Sequence, residues 1–122
     1  MGLLNRERVN DLLIGAFEGG SNYWYNLPDI DNVLNCTQDV IDLLFVDRVI
    51  IAVYDHGVSL VVTDIENDEL LGEFNLETIE RGEKIMSEKY SKHFCDAYDE
   101  TDDADTADVW FQCCVMGKVI YG

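Results

Sequence analysis

Two β-branched runs on either side of a short polar turn constrain the fold of this chain most strongly. Residues 48–54 read RVIIAVY and residues 58–63 read VSLVVT, with Asp-His-Gly between them at 55–57. β-branched residues favour strands, and a polar break that contains glycine is typical of a hairpin turn. A third strand is expected at residues 70–74, LLGEF, after another polar turn. The sequence therefore predicts a small antiparallel sheet of about three strands within residues 46–74.

Helical periodicity precedes this predicted sheet. In residues 6–18, RERVNDLLIGAFE, the apolar side chains recur at i, i+3, i+4, i+7 and i+8, which is one face of an amphipathic helix. Asn5 can cap its start, and Gly19 and Gly20 supply its end. Residues 37–44, TQDVIDLL, predict a second short helix capped by Thr37, with inward-facing apolar residues Val40, Ile41 and Leu44.

Two further helices are expected after the sheet. One covers residues 75–90, with Asn75 as its cap, and the other covers residues 104–116 and ends at Gly117. The chain is therefore predicted to form one α+β domain over residues 1–122, with its sheet packed against the N-terminal, middle and C-terminal helices. The expected core consists of Val9, Leu12, Leu13, Phe17, Ile50, Val53, Leu60, Val62, Ile79, Met86, Phe111 and Val115.

Acidity limits the partners that such a domain can have. The chain has 25 Asp and Glu against 8 Lys and Arg, a formal net charge of -17, while 48% of its residues are hydrophobic. The apolar fraction is sufficient for a core, so the charge does not indicate a disordered acidic tail. Direct binding to DNA or RNA is excluded because it requires clustered basic residues, and attachment to anionic membranes is excluded for the same reason.

The cysteines and the N-terminus predict a cytoplasmic protein. Cys36, Cys95, Cys113 and Cys114 have no CxxC spacing, so we expect reduced, mostly buried thiols rather than disulfides or a zinc site. The first residues turn polar at once, so no signal peptide is expected. No metal and no cofactor is predicted, and no catalytic signature is present.

A glycine- and aromatic-rich motif follows the first helix. Residues 18–25 read EGGSNYWY. The two glycines allow another backbone or a ligand to approach closely, the Ser and Asn side chains can form hydrogen bonds, and the three aromatic rings can stack. One interpretation is a cradle for a small ligand or for a side chain of a partner. The other is a helix terminus followed by aromatic residues that close the core.

An acidic run without basic residues forms the second motif. It extends over residues 96–108 and contains Asp96, Asp99, Glu100, Asp102, Asp103, Asp105 and Asp108. Three interpretations stay open. The acids stabilise the N-terminus of the following helix through its dipole, they form a binding face that imitates nucleic-acid phosphates, or they bind a divalent metal.

The first motif and two C-terminal segments, one of which overlaps the acidic run, together resemble a family of small uncharacterised proteins of bacteriophages and prophages. The resemblance rests on EGGSNYWY at residues 18–25, on DADTADVWFQ at residues 103–112 and on the closing VIYG at residues 119–122. No activity comes with this resemblance. It implies a phage-encoded protein of the bacterial host cytosol, and it directs attention to Glu18, Gly20, Asn22, Trp24, Asp105, Asp108, Gln112 and Tyr121.

Two functions of different classes follow as hypotheses. The first is a non-enzymatic accessory protein that binds a host protein with a basic surface, as a nucleic-acid mimic or a defence inhibitor. The alternative is a small-molecule or metal-binding domain, with or without enzyme activity, whose pocket lies between residues 18–25 and 103–112. A homo-oligomer stays open. The expected ligand- or partner-binding residues are Glu18, Gly20, Asn22, Trp24, Asp103, Asp105, Asp108 and Gln112.

Overall fold

The computed structural model describes residues 3–101 and 103–122, which form six α-helices and a three-stranded sheet. The helices are α1 (Arg6–Gly15), α2 (Ile30–Val33), α3 (Phe45–His56), α4 (Leu76–Lys89), α5 (Ser91–Tyr98) and α6 (Ala104–Met116). A π-helical turn (Ala16–Gly20) extends α1, and a 3₁₀ helix (Leu34–Val40) follows α2. The strands are β1 (Tyr25–Asn26), β2 (Leu60–Asp64) and β3 (Leu70–Phe74). The predicted α+β class is therefore confirmed.

Helix boundaries follow local capping chemistry. The side chain of Asn5 accepts a hydrogen bond from the Arg8 amide at 2.9 Å and begins α1. Asn75 begins α4 through a reciprocal capping box with Thr78. Gly117 ends α6 with a φ of 74°, a left-handed conformation that glycine adopts without steric cost. The helices predicted near 6–18, 75–90 and 104–116 all form.

The sheet is antiparallel with the order β1-β2-β3. Leu60 pairs with Phe74, and a bulge lies between Val62 and Thr63. The strands predicted at 58–63 and 70–74 form, shifted by a few residues at most. The third strand is β1, whose Tyr25 pairs with Asp64, so it comes from the aromatic motif and not from residues 46–74.

Residues 48–54, predicted to be a strand, belong to helix α3, so this prediction is wrong. Val46, Val49, Ile50 and Val53 are all buried, and their spacing of three and four residues is helical. The Asp-His-Gly sequence at 55–57 ends this helix, with Gly57 left-handed at a φ of 65°, instead of forming a hairpin turn.

The helix predicted at 37–44 is also wrong in its bounds and its orientation. Its first residues belong to the 3₁₀ helix Leu34–Val40, in which the Thr37 hydroxyl donates to the carbonyl of Leu34 instead of capping a new helix. Ile41 and Leu44, expected to face inward, are exposed.

Helix α6 is the centre of the core and packs against α1, α4, α5, β3 and the π-helical turn. Helix α4 approaches it most closely at Gly82, where a Cβ atom would lie 2.5 Å from the Cα of Cys114. The predicted core residues are buried with the exception of Phe17, which is half-buried and stacks on Tyr25.

Candidate functional site

The two sequence motifs meet at the N-terminal half of α6. Gly20 lies against the carbonyl of Ala104, in the first turn of α6, and leaves no room there for a Cβ atom. After Gly20, residues 21–24 run alongside α6 and lead into strand β1. The close approach explains why glycine is required at position 20.

Asp108 is the hydrogen-bonding centre of this junction. Its Oδ1 accepts from the Ser21 hydroxyl at 2.7 Å and from the Trp24 indole N–H at 2.8 Å. Its Oδ2 accepts from the Tyr23 hydroxyl at 2.7 Å and from the Gln112 amide at 3.1 Å. A carboxylate offers about four lone-pair sites, so these four donors occupy its acceptor capacity. Asp108 therefore joins the two motifs, and it is not free to act as a base or as a metal ligand.

Gln112 extends this network to the C-terminal segment. Its Oε1 accepts from the backbone amides of Ile120 and Tyr121, both at 2.9 Å, and its amide nitrogen donates to the carbonyl of Tyr121 at 3.1 Å. The hydroxyl of Tyr121 in turn donates to Asp64 at the end of β2, at 2.7 Å. This hydrogen bond lowers the pKa of Asp64.

Aromatic rings fill the space between the motifs. Trp24 is 1% exposed, stacks on Tyr121 with 5.2 Å between ring centroids, and lies 5.4 Å from Phe111. Trp24 is therefore a core side chain and not the wall of an open cleft. The alternative hypothesis correctly brings residues 18–25 beside 103–112, but side chains pack the interval between them.

The eight expected site residues divide into two groups. Gly20, Trp24, Asp108 and Gln112 form the junction described above. Glu18, Asn22, Asp103 and Asp105 are exposed to solvent. The same stretch of sequence thus provides both the support and the exposed surface.

The acidic run does not form one continuous face. Asp108 points into the junction, whereas Asp99, Glu100, Asp103 and Asp105 are exposed around the connection between α5 and α6. Asp102 lies outside the described residues. Asp103 caps α6 by accepting from the Thr106 amide at 2.9 Å, and this backbone hydrogen bond lowers its pKa. Within residues 3–101 and 103–122, no three metal-ligating side chains converge.

Sequence reasoning missed a second buried carboxylate, Glu83 on α4. Its Oε1 accepts from the backbone amides of Leu3 and Leu4 at 3.1 and 3.2 Å, and its Oε2 accepts from the Trp110 indole at 3.1 Å. Burial raises the pKa of Glu83, and the three hydrogen bonds oppose that shift. Glu83 sits among surface acids and bases in the sequence, but it lies four residues after Ile79 and three before Met86, so its helical spacing places it on the buried face of α4.

Two of the four thiols are buried, and one imidazole contacts a hydroxyl group. All four cysteines are free; Cys113 and Cys114 are buried, Cys36 is half-buried and Cys95 is exposed. Burial raises the pKa of Cys113 to about 12, so its thiol stays protonated and is a poor nucleophile. His93 Nδ1 lies 2.9 Å from the Thr106 hydroxyl.

Comparisons with protein-family models, with curated proteins and with solved structures find no match for this chain. No helix formed by the described residues is long and apolar enough to cross a membrane.

Proposed function

We propose that this chain is a non-enzymatic, phage-encoded accessory protein that binds a basic surface of a host protein in the bacterial cytosol. Occupying a surface that otherwise binds nucleic acid, as a mimic or a defence inhibitor, is the simplest form of this function. The observation that carries the proposal is the excess of exposed carboxylates over available cations. Complementary charge accelerates the encounter with a basic surface and selects that surface among other partners.

The distribution of cations strengthens this argument. Residues 1–80 contain 16 of the 25 acidic residues and three of the eight Lys and Arg. Arg6 forms a two-pronged ion pair with Asp55, Arg8 bonds to Asp11 and to the carbonyl of Ala97, and Arg48 bonds to the carbonyl of Leu34. Intramolecular contacts hold these three cations, and acidic residues outnumber them by 16 to three in this part of the chain.

The internal use of the chemically capable groups also favours binding over catalysis. Four donors occupy the lone pairs of Asp108, three donors hold Glu83 in the core, and the buried thiols are protonated at neutral pH. The exposed acids Asp103 and Asp105 flank Ala104, whose carbonyl meets Gly20 of the first motif. Together with exposed Asp99 and Glu100, they offer the partner its charged contact.

Affinity capture from a bacterial lysate, eluted by increasing salt, tests the proposal. The expected partners are basic proteins that salt releases, because screening weakens contacts between exposed charges. Added nucleic acid should compete with them. Recovery of no partner, or of partners that salt does not release, would contradict the proposal.

A matched pair of variants localises the contact. The test variant removes four charges at the α5–α6 connection: Asp99→Asn, Glu100→Gln, Asp103→Asn and Asp105→Asn. Asn at position 103 retains the helix cap, so the fold is expected to persist. The control removes four exposed charges elsewhere: Asp31→Asn, Glu66→Gln, Asp68→Asn and Glu69→Gln. Capture should fall more with the test variant than with the control.

A further inference from the structure

An exposed apolar patch lies where helix α3 begins. Leu44 is 73% exposed, Phe45 is 45% exposed, and Ile41 and Leu43 are exposed as well. Isolated exposed apolar residues are common on protein surfaces. Four exposed large apolar residues within five consecutive positions, 41–45, form a group of the kind that typically marks a contact site.

The patch borders a cavity of about 350 Å³ between the end of α1 and the start of α3. The aromatic rings of Phe17, Tyr25 and Phe45 form its floor and walls, together with Leu44. Two carboxylates, Glu18 and Asp47, line the same cavity. Its surface is therefore apolar in the centre and negatively charged at its margin.

A second depression continues this cavity along the boundary between α1 and α3. It shares Asp47 with the first cavity and adds Leu43, Ile51 and Glu7. From Glu7 to Phe17, ten residues of helix correspond to about 15 Å, or close to three turns of a helix lying alongside. We call the two depressions together the α1–α3 groove.

We propose that the α1–α3 groove binds an amphipathic helix of the partner, with apolar residues at i, i+3, i+4 and i+7 and with Lys or Arg on its flanks. The apolar residues would cover Leu44 and Phe45, and the basic flanks would meet Glu7, Glu18 and Asp47. This inference rests on the proposed function, because it takes the partner to be basic, and it specifies the binding mode.

Charge distinguishes this occupant from a second copy of the chain. A second copy also carries a net charge of -17, so pairing two grooves would bring carboxylate margins of the same sign together. The cation at the end of the groove, Arg6, is held by both oxygens of Asp55. A basic helix satisfies both the apolar centre and the acidic margin of the groove.

The probe is a capped synthetic peptide of about 18 residues, which corresponds to five helical turns, with Leu at the apolar positions and Lys at most others. A second peptide replaces each Leu by Ser, and a third replaces each Lys by Glu. Binding is measured by fluorescence anisotropy and by calorimetry at low and at high salt. The Leu-Lys peptide should bind more tightly than the other two, and added salt should weaken it.

A pair of exposed leucines provides the matched variants. Leu44→Ser should weaken binding of the Leu-Lys peptide about tenfold, since it removes a side chain that the peptide would bury. Leu70→Ser is the control, because Leu70 is 70% exposed and lies on β3, away from the groove lining. Both variants should have the same denaturant midpoint of unfolding as the wild type. Glu18→Gln should weaken binding about twofold at low salt and not at high salt.

The outcomes separate this inference from the proposed function. If the Leu-Lys and Ser-Lys peptides bind equally and Leu44→Ser changes nothing, the groove proposal is overturned while charge-driven binding stands. If Leu44→Ser weakens binding that salt does not affect, the basic partner is overturned. If sedimentation shows a dimer that Leu44→Ser dissociates, the occupant is a second copy and the proposal is wrong.

Discussion

Each of the two tryptophans donates its indole N–H to a buried carboxylate, but the two carboxylates accept their other hydrogen bonds from different kinds of donor. Trp24 donates to Asp108 at 2.8 Å, and Trp110 donates to Glu83 at 3.1 Å. The other donors to Asp108 are the side chains of Ser21, Tyr23 and Gln112, whereas the other donors to Glu83 are the backbone amides of Leu3 and Leu4.

Among the described residues, neither carboxylate forms an ion pair with a cation, so neutral donors stabilise both. Asp108 keeps some contact with solvent, while Glu83 is 0% exposed and its pKa is raised by burial. The comparison shows that a carboxylate can organise a core without a cation when donors surround it. At Glu83 burial raises the pKa of the carboxyl, against three hydrogen bonds that lower it.

The largest effect is expected for Asp108→Ala. The change leaves the Trp24 N–H and the Ser21 hydroxyl buried without their acceptor, and should lower the free energy of unfolding by about 3–5 kcal/mol. Urea unfolding measures it. Asp105→Ala, on the exposed side of the same helix, is the control and should change stability by about 0.5 kcal/mol. Equal effects of the two substitutions would contradict the role assigned to Asp108.

Gln112→Leu should have the next largest effect. It keeps the apolar volume but removes the acceptor of the Ile120 and Tyr121 amides, at a cost of about 2 kcal/mol. Hydrogen exchange of these two amides should accelerate more than exchange in the centre of α6. Gln38→Leu, on an exposed turn of the 3₁₀ helix, is the control. Unchanged exchange at residues 120 and 121 would contradict the anchoring role of Gln112.

Glu83→Gln tests the second carboxylate through its pH dependence. Because the folded pKa of Glu83 is raised, its stabilising contribution is complete below the ordinary pKa of glutamate and is lost as pH rises through the folded value. The wild type should therefore lose stability over this interval, and the variant should lack that loss. Below the interval the variant should be about 1 kcal/mol less stable, since its amide faces the Trp110 N–H.

The measurement is the urea midpoint as a function of pH for the wild type, for Glu83→Gln and for the control Glu88→Gln, at an exposed position. The control should reproduce the wild-type pH dependence. If Glu83→Gln also reproduces it, the protonation of Glu83 does not contribute to stability.

Tyr23→Phe should produce the smallest change. Tyr23 is half-exposed, and Asp108 keeps three donors without it, so we expect a loss of about 0.5–1 kcal/mol. Burial and the hydrogen bond to Asp108 raise the pKa of Tyr23 to about 12. Spectrophotometric titration should show one fewer tyrosine ionising at the high end in the variant, and Tyr98→Phe is the exposed control.

The spacing of apolar residues in the sequence predicts most of the core. A residue expected to be buried can be buried even when its segment forms a helix instead of the predicted strand. Ile50 and Val53 were expected in the core from a strand and are buried from helix α3. The strand prediction is wrong because it rests on β-branched composition, whereas the i, i+3, i+4, i+7 spacing of Val46, Val49, Ile50 and Val53 is that of a helix face. Tertiary packing of that face on α1 overrides the β propensity of its residues.

The candidate site was predictable where its donors lie close together in the sequence. Ser21, Tyr23 and Trp24 stand within EGGSNYWY at 18–25, and Asp108 and Gln112 stand within DADTADVWFQ at 103–112, so the sequence indicates both halves of the junction. Whether these residues support the fold or contact a partner depends on which of them is buried. The spacing of Glu83 from Ile79 and Met86 indicates its burial, but two of its three donors are backbone amides, and such donors leave no pattern in a sequence.

The residues that meet at Asp108 are far apart in the sequence, and this affects folding during synthesis. Ser21 and Trp24 find their acceptor 87 and 84 residues later. At a synthesis rate of about 5–20 residues per second, several seconds pass between the appearance of the first motif and that of α6. During that interval Trp24 and the apolar face of α1 lack their final packing partners. Folding of the N-terminal segment is thus coupled to completion of α6, and until then its apolar side chains are accessible to chaperones and proteases.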